Sequence, residues 1–376
     1  MSTRKQKYII SPPSACPSHL LISANLPPAE VPLDIALVAQ SAYREIIQTA
    51  PHSGFLFNFI EELLEPGSDL IWKESGPGRG TEMRRSFSGI FGRFFARAYL
   101  SQHHNFTWFS AIDGDNFHIA RNWRIKRDPT AKTEMPDWIC ARPGELAIGE
   151  AKGSHQKGNV PKRSLPKPIQ TAVGQIQGVA VQKLNTTGRR QRWRPITVKG
   201  WAIMSRWGTA KDPSRPPFLY ALDPWTDGED PSDDETEELV QAVARTHVKQ
   251  IAKGLGLLTE QGEKTSVSRY HEFQISGDPK NRTFLGQILS PWGPISPSGS
   301  LRLGLFIRRK MFHRVFPKDA IMFAGLESNI WGKYLNKSEL TPIKPETLGD
   351  GAFLGQDSLV IAPISQIEVP KKSNLI

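Results

Sequence analysis

Cysteine is scarce in this chain: Cys16 and Cys140 are the only two among 376 residues. Two cysteines can build neither a disulfide framework nor a four-cysteine zinc site, and they read as reduced thiols of a cytoplasmic protein. Long apolar runs are also missing. None approaches the ~18 residues of a membrane span, and the N-terminal MSTRKQKYIISPPS has basic residues but no sustained apolar segment. Neither a membrane partner nor a secretory signal is therefore expected. The glycine-rich Gly76-Pro77-Gly78-Arg79-Gly80 lacks the Lys-Ser/Thr ending of a phosphate-binding loop. His103, His104 and His118 have no zinc spacing, and no internal repeat is visible. Positive charge, by contrast, is in excess. A net charge of +11 and an isoelectric point near 9.6 point to a polyanionic partner.

The most informative stretch is Pro136–Lys152, PDWICARPGELAIGEAK. Trp138, Ile139 and Cys140 are strand formers behind a proline that can open a strand. Arg142-Pro143-Gly144-Glu145 is turn chemistry, and Leu146–Gly153 reads as a second strand. Alternation puts Leu146, Ile148, Glu150 and Lys152 on one face, and small Ala147, Gly149 and Ala151 on the other, where a helix can approach. If the strands pair, Asp137 returns beside Glu150. Two carboxylates and an ammonium at a sheet end suit a hard divalent cation with positions left for water and phosphate. A compact lysine charge there can hold an attacking water or offset charge growing on a phosphate. The set fits metal-assisted phosphodiester hydrolysis.

Pro136, Asp137, Glu150 and Lys152 resemble the signature of the PD-(D/E)XK nuclease superfamily, whose fold is restriction-endonuclease-like. The resemblance covers about residues 76–225. It implies an α/β core of αβββαβ order, a mixed central sheet flanked by helices: helix 81–100, strands near 106–112, 137–141 and 146–152, helix 169–184 and strand 196–204. It implies a Mg²⁺-dependent nuclease (Mn²⁺ substituting) acting on DNA, in a setting such as bacterial defence against foreign DNA. Asp137 and Glu150 would hold the metal, with the Ala151 carbonyl as a further ligand, and Lys152 would position the water. The helix before the sheet often carries another acidic ligand, for which Glu82 is the best-placed match. Some branches place a glutamine, followed four residues later by tyrosine, on the later helix. Gln175 is the match here, without the tyrosine. A DNA-binding or complex-assembly subunit on the same fold, or a structure-selective junction resolvase, is the alternative.

From Lys152 to Lys199 there are eleven Lys or Arg and no Asp or Glu. Following a metal motif, this run reads as a phosphate track. Lys157, Lys162, Arg163 and Lys167 fall in a Pro- and Gly-rich loop, and Arg189, Arg190, Arg192 and Arg194 in a second loop around Trp193. Asp113-Gly114-Asp115-Asn116 reads as a hairpin turn between strands 106–112 and 117–125. Around the core lie two accessory regions. Residues 1–75 hold a short strand at 20–23, a helix over 35–46 capped by Asp34, and a helix over 55–64. Residues 226–376 open with an acidic run, Asp227–Glu238, that feeds a helix ending at Gly254, and continue mostly as strands, among them 301–308 before a basic cluster at 308–314. DNA is the expected partner; further protein partners of a multi-component system and self-association stay open.

Overall fold

The computed structural model describes residues 3–10, 16–49, 64–67, 69–74, 76, 80–155, 164–187, 190–212, 216–258, 271–290, 293–295, 322–349 and 351–368. Residues 55–63 of the helix expected over 55–64, the strand at 301–308, the cluster at 308–314, and Lys157, Lys162, Arg163 and Arg189 lie outside them. The chain divides into two units, residues 1–42 with 59–244 and residues 43–58 with 245–376.

In chain order the elements as far as residue 254 are β1 (Thr3–Ile10), β2 (Glu30–Asp34), α1 (Ile35–Thr49), β3 (Ile71–Trp72), α2 (Thr81–His104), β4 (Trp108–Ala111), β5 (Asn116–Ala120), β6 (Trp123–Arg127), β7 (Trp138–Arg142), β8 (Glu145–Ser154), α3 (Lys167–Gln177), β9 (Val179–Thr187), β10 (Arg190–Ile196), β11 (Lys199–Arg206), β12 (Gly208–Thr209), β13 (Phe218–Leu222) and α4 (Asp233–Gly254). Asp34 caps α1 as expected, its carboxylate accepting the Ala36 N–H at 2.8 Å. The expected strand at 20–23 is instead a 3₁₀ turn over Ser18–Leu20 with an isolated Ser23–Leu26 bridge.

The first unit is built on a mixed seven-stranded sheet of order β2-β1-β13-β11-β8-β7-β4. β4, β7 and β8 form an antiparallel meander, and β11 joins β8 in parallel, as a strand reached through a helical crossover can. β1 and β2, in the stretch read as an N-terminal accessory region, extend this sheet through β13. Helices cover both faces. α2 lies so close to β8 that a Cβ on Gly92 would sit 2.4 Å from the Gly153 nitrogen, and one on Gly153 would sit 1.6 Å from the Ser88 carbonyl oxygen. On the opposite face α3 approaches β11, where a Cβ on Gly200 would meet Ile176 at 2.6 Å. Trp108, Trp138, Trp201, Phe94 and Phe95 are fully buried in this core.

Four further expectations change. Phe117–Ile125 is not one strand but the β5–β6 hairpin, and it belongs to a second, four-stranded sheet of order β10-β9-β6-β5. Asp113–Asn116 therefore connects two sheets rather than turning one hairpin; Gly114 supplies a φ of +75°, and Asp115 pairs with Arg127. The helix expected over 169–184 stops at Gln177, and the chain turns at Gly178 into β9. Arg190, Arg192 and Arg194 consequently lie on strand β10, not in a loop.

The second unit is mostly β. Beside the helical segments at 43–49 and 245–254, β14 (His271–Ile275), β15 (Thr283–Ser290), β16 (Gly293–Ile295), β17 (Met322–Glu327), β18 (Glu346–Leu348), β19 (Ala352–Leu354), β20 (Leu359–Pro363) and β21 (Ile367–Glu368) form one antiparallel sheet, with α5 (Ser328–Leu335) after β17. Phe273, Phe284, Phe323, Leu354 and Val360 form its core.

Candidate active site

The register of β7 on β8 explains the site. Trp138 pairs with Gly149; one step further, Asp137 faces Glu150, and the Asp137 N–H donates to a Glu150 carboxylate oxygen at 2.9 Å. The Ala151 N–H in turn donates to Asp137 Oδ2 at 2.8 Å. The start of β7 and the adjoining part of β8 thus hold each other's carboxylates through backbone amides. Lys152 lies two residues beyond Glu150 on the same face and donates Nζ to Glu150 Oε1 at 2.5 Å and to Gln175 Oε1 at 2.6 Å. Gln175, near the end of α3, is fixed from its other side by donating to the Met135 carbonyl at 3.2 Å. Asp137, Glu150, Lys152 and Gln175 therefore converge, as the residues suggest. They line a cleft of about 360 Å³ together with Arg85, Ser88, Arg93, Glu134 and His155.

The environments of the two carboxylates differ. Glu150 is almost entirely enclosed; burial pushes its carboxyl up to about 8, the neighbouring Asp137 carboxylate adds to the rise, and Lys152 opposes it. Asp137 is the more open of the two, and Arg93 on α2 binds its Oδ1. The Arg93 guanidinium also lies over the Trp138 ring, 4.9 Å from its centroid. Ser88, one turn earlier, meets His155 Nδ1 at 3.1 Å. None of Arg93, Glu134, Ser88 or His155 follows from the motif. The signal for the helix residues was a stripe: Arg85, Ser88, Gly89, Gly92 and Arg93 recur at helical spacing, with the glycines marking the closest approach to β8.

The other candidates lie elsewhere. Glu82 is exposed in the first turn of α2, where its carbonyl accepts the Ser86 hydroxyl, and it is not among the residues lining the cleft. Lys167 is exposed at the first residue of α3. Arg192 is exposed on β10, whereas Arg194 is engaged by Glu229 and Glu235. Cys16 and Cys140 are free and buried.

Among the described residues no group of three or more His, Cys, Asp or Glu is gathered as a metal site. A cation here would rest on two carboxylates, with backbone carbonyl such as that of Ala151, water and substrate completing its shell. Mg²⁺ commonly binds in that way, keeping several waters beside one or two carboxylates. All donors are oxygens, and the cleft leaves room for a phosphate, so the residues present fit a hard divalent ion. No protein-family model, curated protein or solved structure matches the chain, and no helix among the described residues is long and apolar enough to cross a membrane.

Proposed function

We propose that this chain is a metal-dependent nuclease of the PD-(D/E)XK type that hydrolyses DNA phosphodiester bonds, most simply as an endonuclease. One observation carries the reading: Asp137, Glu150 and Lys152, named by the motif, meet in one cleft where the start of β7 lies against β8, with Gln175 against the lysine. The order α2, β4, β7, β8, α3, β11 supports it, as does the parallel pairing of β11 with β8. Mg²⁺ or Mn²⁺ held by Asp137 and Glu150 would supply Lewis-acid stabilisation and a more acidic water. The protein's own residues then have separate tasks. Asp137 and Glu150 provide carboxyl oxygens at fixed positions, Glu150 held by the Asp137 N–H and Asp137 by the Ala151 N–H. Lys152, steadied by Gln175, presents an ammonium to the water and to the charge that grows on phosphorus. Arg93 and Arg85 present guanidinium donors to phosphate oxygens.

The same geometry gives one argument for a second reading, a non-catalytic DNA-binding subunit. Arg93 already neutralises Asp137, and a protein that never binds metal can keep that ion pair. A paired measurement separates the two. On the nuclease reading, Lys152→Ala lowers cleavage of supercoiled plasmid by at least ~100-fold, with DNA affinity nearly unchanged. Lys152→Arg does not fully rescue, since a planar fork does not replace a compact ammonium. Undiminished cleavage in Lys152→Ala removes this residue from the mechanism. No cleavage by the wild type with either metal on any nucleic acid favours the binding subunit.

A further inference from the structure

The second sheet of the first unit has a sharply divided character that the nuclease cleft does not use. Alternation on the β10-β9-β6-β5 sheet places Trp123, Ile125, Val179, Val181 and Ile196 on a buried face. Two of the longer polar side chains of that parity are neutralised, Lys183 by Glu235 and Glu238 and Arg194 by Glu229 and Glu235, while Arg192 is exposed towards the strand end. Glu235 and Glu238 at the start of α4 thus act as counter-charges to the sheet, while Asp233, Asp234 and Glu237 beside them are exposed.

The opposite parity gives a different surface. Arg124 pairs in register with Gln182 and with His118, and Trp193 with Leu184, so all five stand on the open face with exposed Lys126. The Arg124 guanidinium stacks across β9 on the Trp193 ring, 4.0 Å from its centroid. Its Nε donates to Gln182 Oε1 at 2.8 Å, which fixes the fork in that plane. His118 meets the same indole edge-on, with ring centroids 6.0 Å apart. None of the four strands contains an Asp or Glu.

We propose that this open face binds single-stranded DNA, with unpaired bases stacking on the Trp193–Arg124 pair and on His118, and phosphates meeting Lys126 and Arg124. Two features select this occupant. The face carries Arg124 and Lys126 and no carboxylate from its own strands, which calls for a polyanion. The cationic groups are interleaved with flat rings and a guanidinium plane, which unpaired bases can stack on and duplex bases cannot reach. A duplex would use the lysine and arginine and leave Trp193 idle. The proposal deepens the nuclease reading and rests on it for DNA as the polymer. It gives the enzyme a preference for substrates that carry an unpaired segment, such as ends, flaps or melted sites.

The test uses the full chain without divalent metal, and fluorescence anisotropy of a labelled oligothymidylate of about 15 nucleotides and of a duplex of equal length. Trp193→Ala is expected to weaken oligothymidylate binding by about 5- to 100-fold and leave duplex binding within about twofold. Trp193→Phe should retain most of the affinity, showing that the ring and not the fold is responsible. Arg124→Gln with Lys126→Gln should flatten the slope of log affinity against log salt by about one to two. Unchanged oligothymidylate affinity in Trp193→Ala overturns the proposal, and so does equal loss on duplex and single strand. Lys152→Ala cleavage assays keep the two readings apart. If cleavage depends on Lys152 but Trp193→Ala binds normally, the face is wrong and the nuclease reading stands. If Trp193→Ala loses single-strand binding while cleavage ignores Lys152, the face stands and the catalytic assignment falls.

Discussion

Arg93 is the residue whose role is least visible in sequence and most consequential in the cleft. It sits 44 positions before Asp137, and no spacing rule links a helix arginine to a strand carboxylate at that distance. Only the close approach of α2 to β8 brings them together. If Asp137 is a metal ligand, Arg93 competes with the cation for the same oxygen. Arg93→Gln is expected to tighten Mn²⁺ binding by about tenfold, roughly 1.4 kcal/mol, while slowing cleavage because a phosphate donor is lost. Calorimetry alongside plasmid digestion reads both, and weaker Mn²⁺ binding in the variant would mean that Arg93 organises the site instead of opposing the ion. His104 gives a second prediction at this scale. It donates to or accepts from the Tyr99 hydroxyl at 3.0 Å and packs on Trp201. Burial, reinforced by Lys199 and other nearby cations, pushes its imidazole down to about 2. The folded state therefore keeps it neutral, whereas the unfolded chain protonates it near pH 6.5. The unfolded state gains protons as pH falls, so stability is lost on acidification. Between about pH 7.5 and about pH 5.5 this residue should remove about 1.4 kcal/mol. Urea unfolding at both pH values should show a smaller drop in His104→Phe; an identical drop would assign the effect to other groups.

At the scale of elements, strands with a marked partner were legible and those without one were not. β7 and β8 could be read from Pro136, the Arg142–Glu145 turn and the alternation of apolar residues, and their register followed from the turn. α1 was legible from its spacing and its Asp34 cap. β9 was not. Val179–Thr187 continues a pattern of apolar residues and glutamines that a helix also satisfies, and only tertiary pairing with β6 decides the matter. Gly178 is the clue, but its meaning is spatial: a Cβ there would crowd the Gly174 carbonyl and Thr133 at 2.9 Å. The β5–β6 turn, at Arg121-Asn122, contains neither glycine nor proline, and Asn122 alone is a weak mark of it. The glycines of α2 and β8 carry the element-level prediction. Gly153→Ala places a methyl on backbone oxygen that no rotamer can relieve. It should cost at least about 2 kcal/mol and displace Ser88 and Arg93 from the cleft. A urea midpoint within error of the wild type would show that α2 shifts freely and that its approach to β8 does not position the cleft.

For the whole molecule, net charge pointed to a polyanion, but it did not show which cations remain available. Composition gave a basic run and an acidic run; folding cancels part of one against the other through Lys183, Arg194 and α4, and leaves the open face of the second sheet uncancelled. The same logic governs the second unit, whose pieces are far apart in sequence. Arg44 and Asp357 are separated by 313 residues and form a buried fork, with bonds of 2.7 and 2.8 Å, while His247 Nε2 lies 3.2 Å from the same carboxylate. Burial alone would raise the Asp357 carboxyl, but the Arg44 guanidinium and His247 outweigh it and hold it well below the usual carboxylate range. A depressed acid contributes stability that is complete above its unfolded value, about 3.9, and is lost only as pH falls further. Asp357 therefore contributes nothing to the loss assigned to His104 between about pH 7.5 and about pH 5.5. Asp357→Asn strands the Arg44 charge in a buried site and should cost about 3–5 kcal/mol at neutral pH. Replacing both partners, as Arg44→Met with Asp357→Leu, removes the stranded charge and should recover a large part of that loss. Hydrogen exchange of the β17 and β20 amides, with urea midpoints for both variants, reads the outcome. A double variant no more stable than Asp357→Asn would show that the fork contributes through its geometry and not through the balance of buried charge.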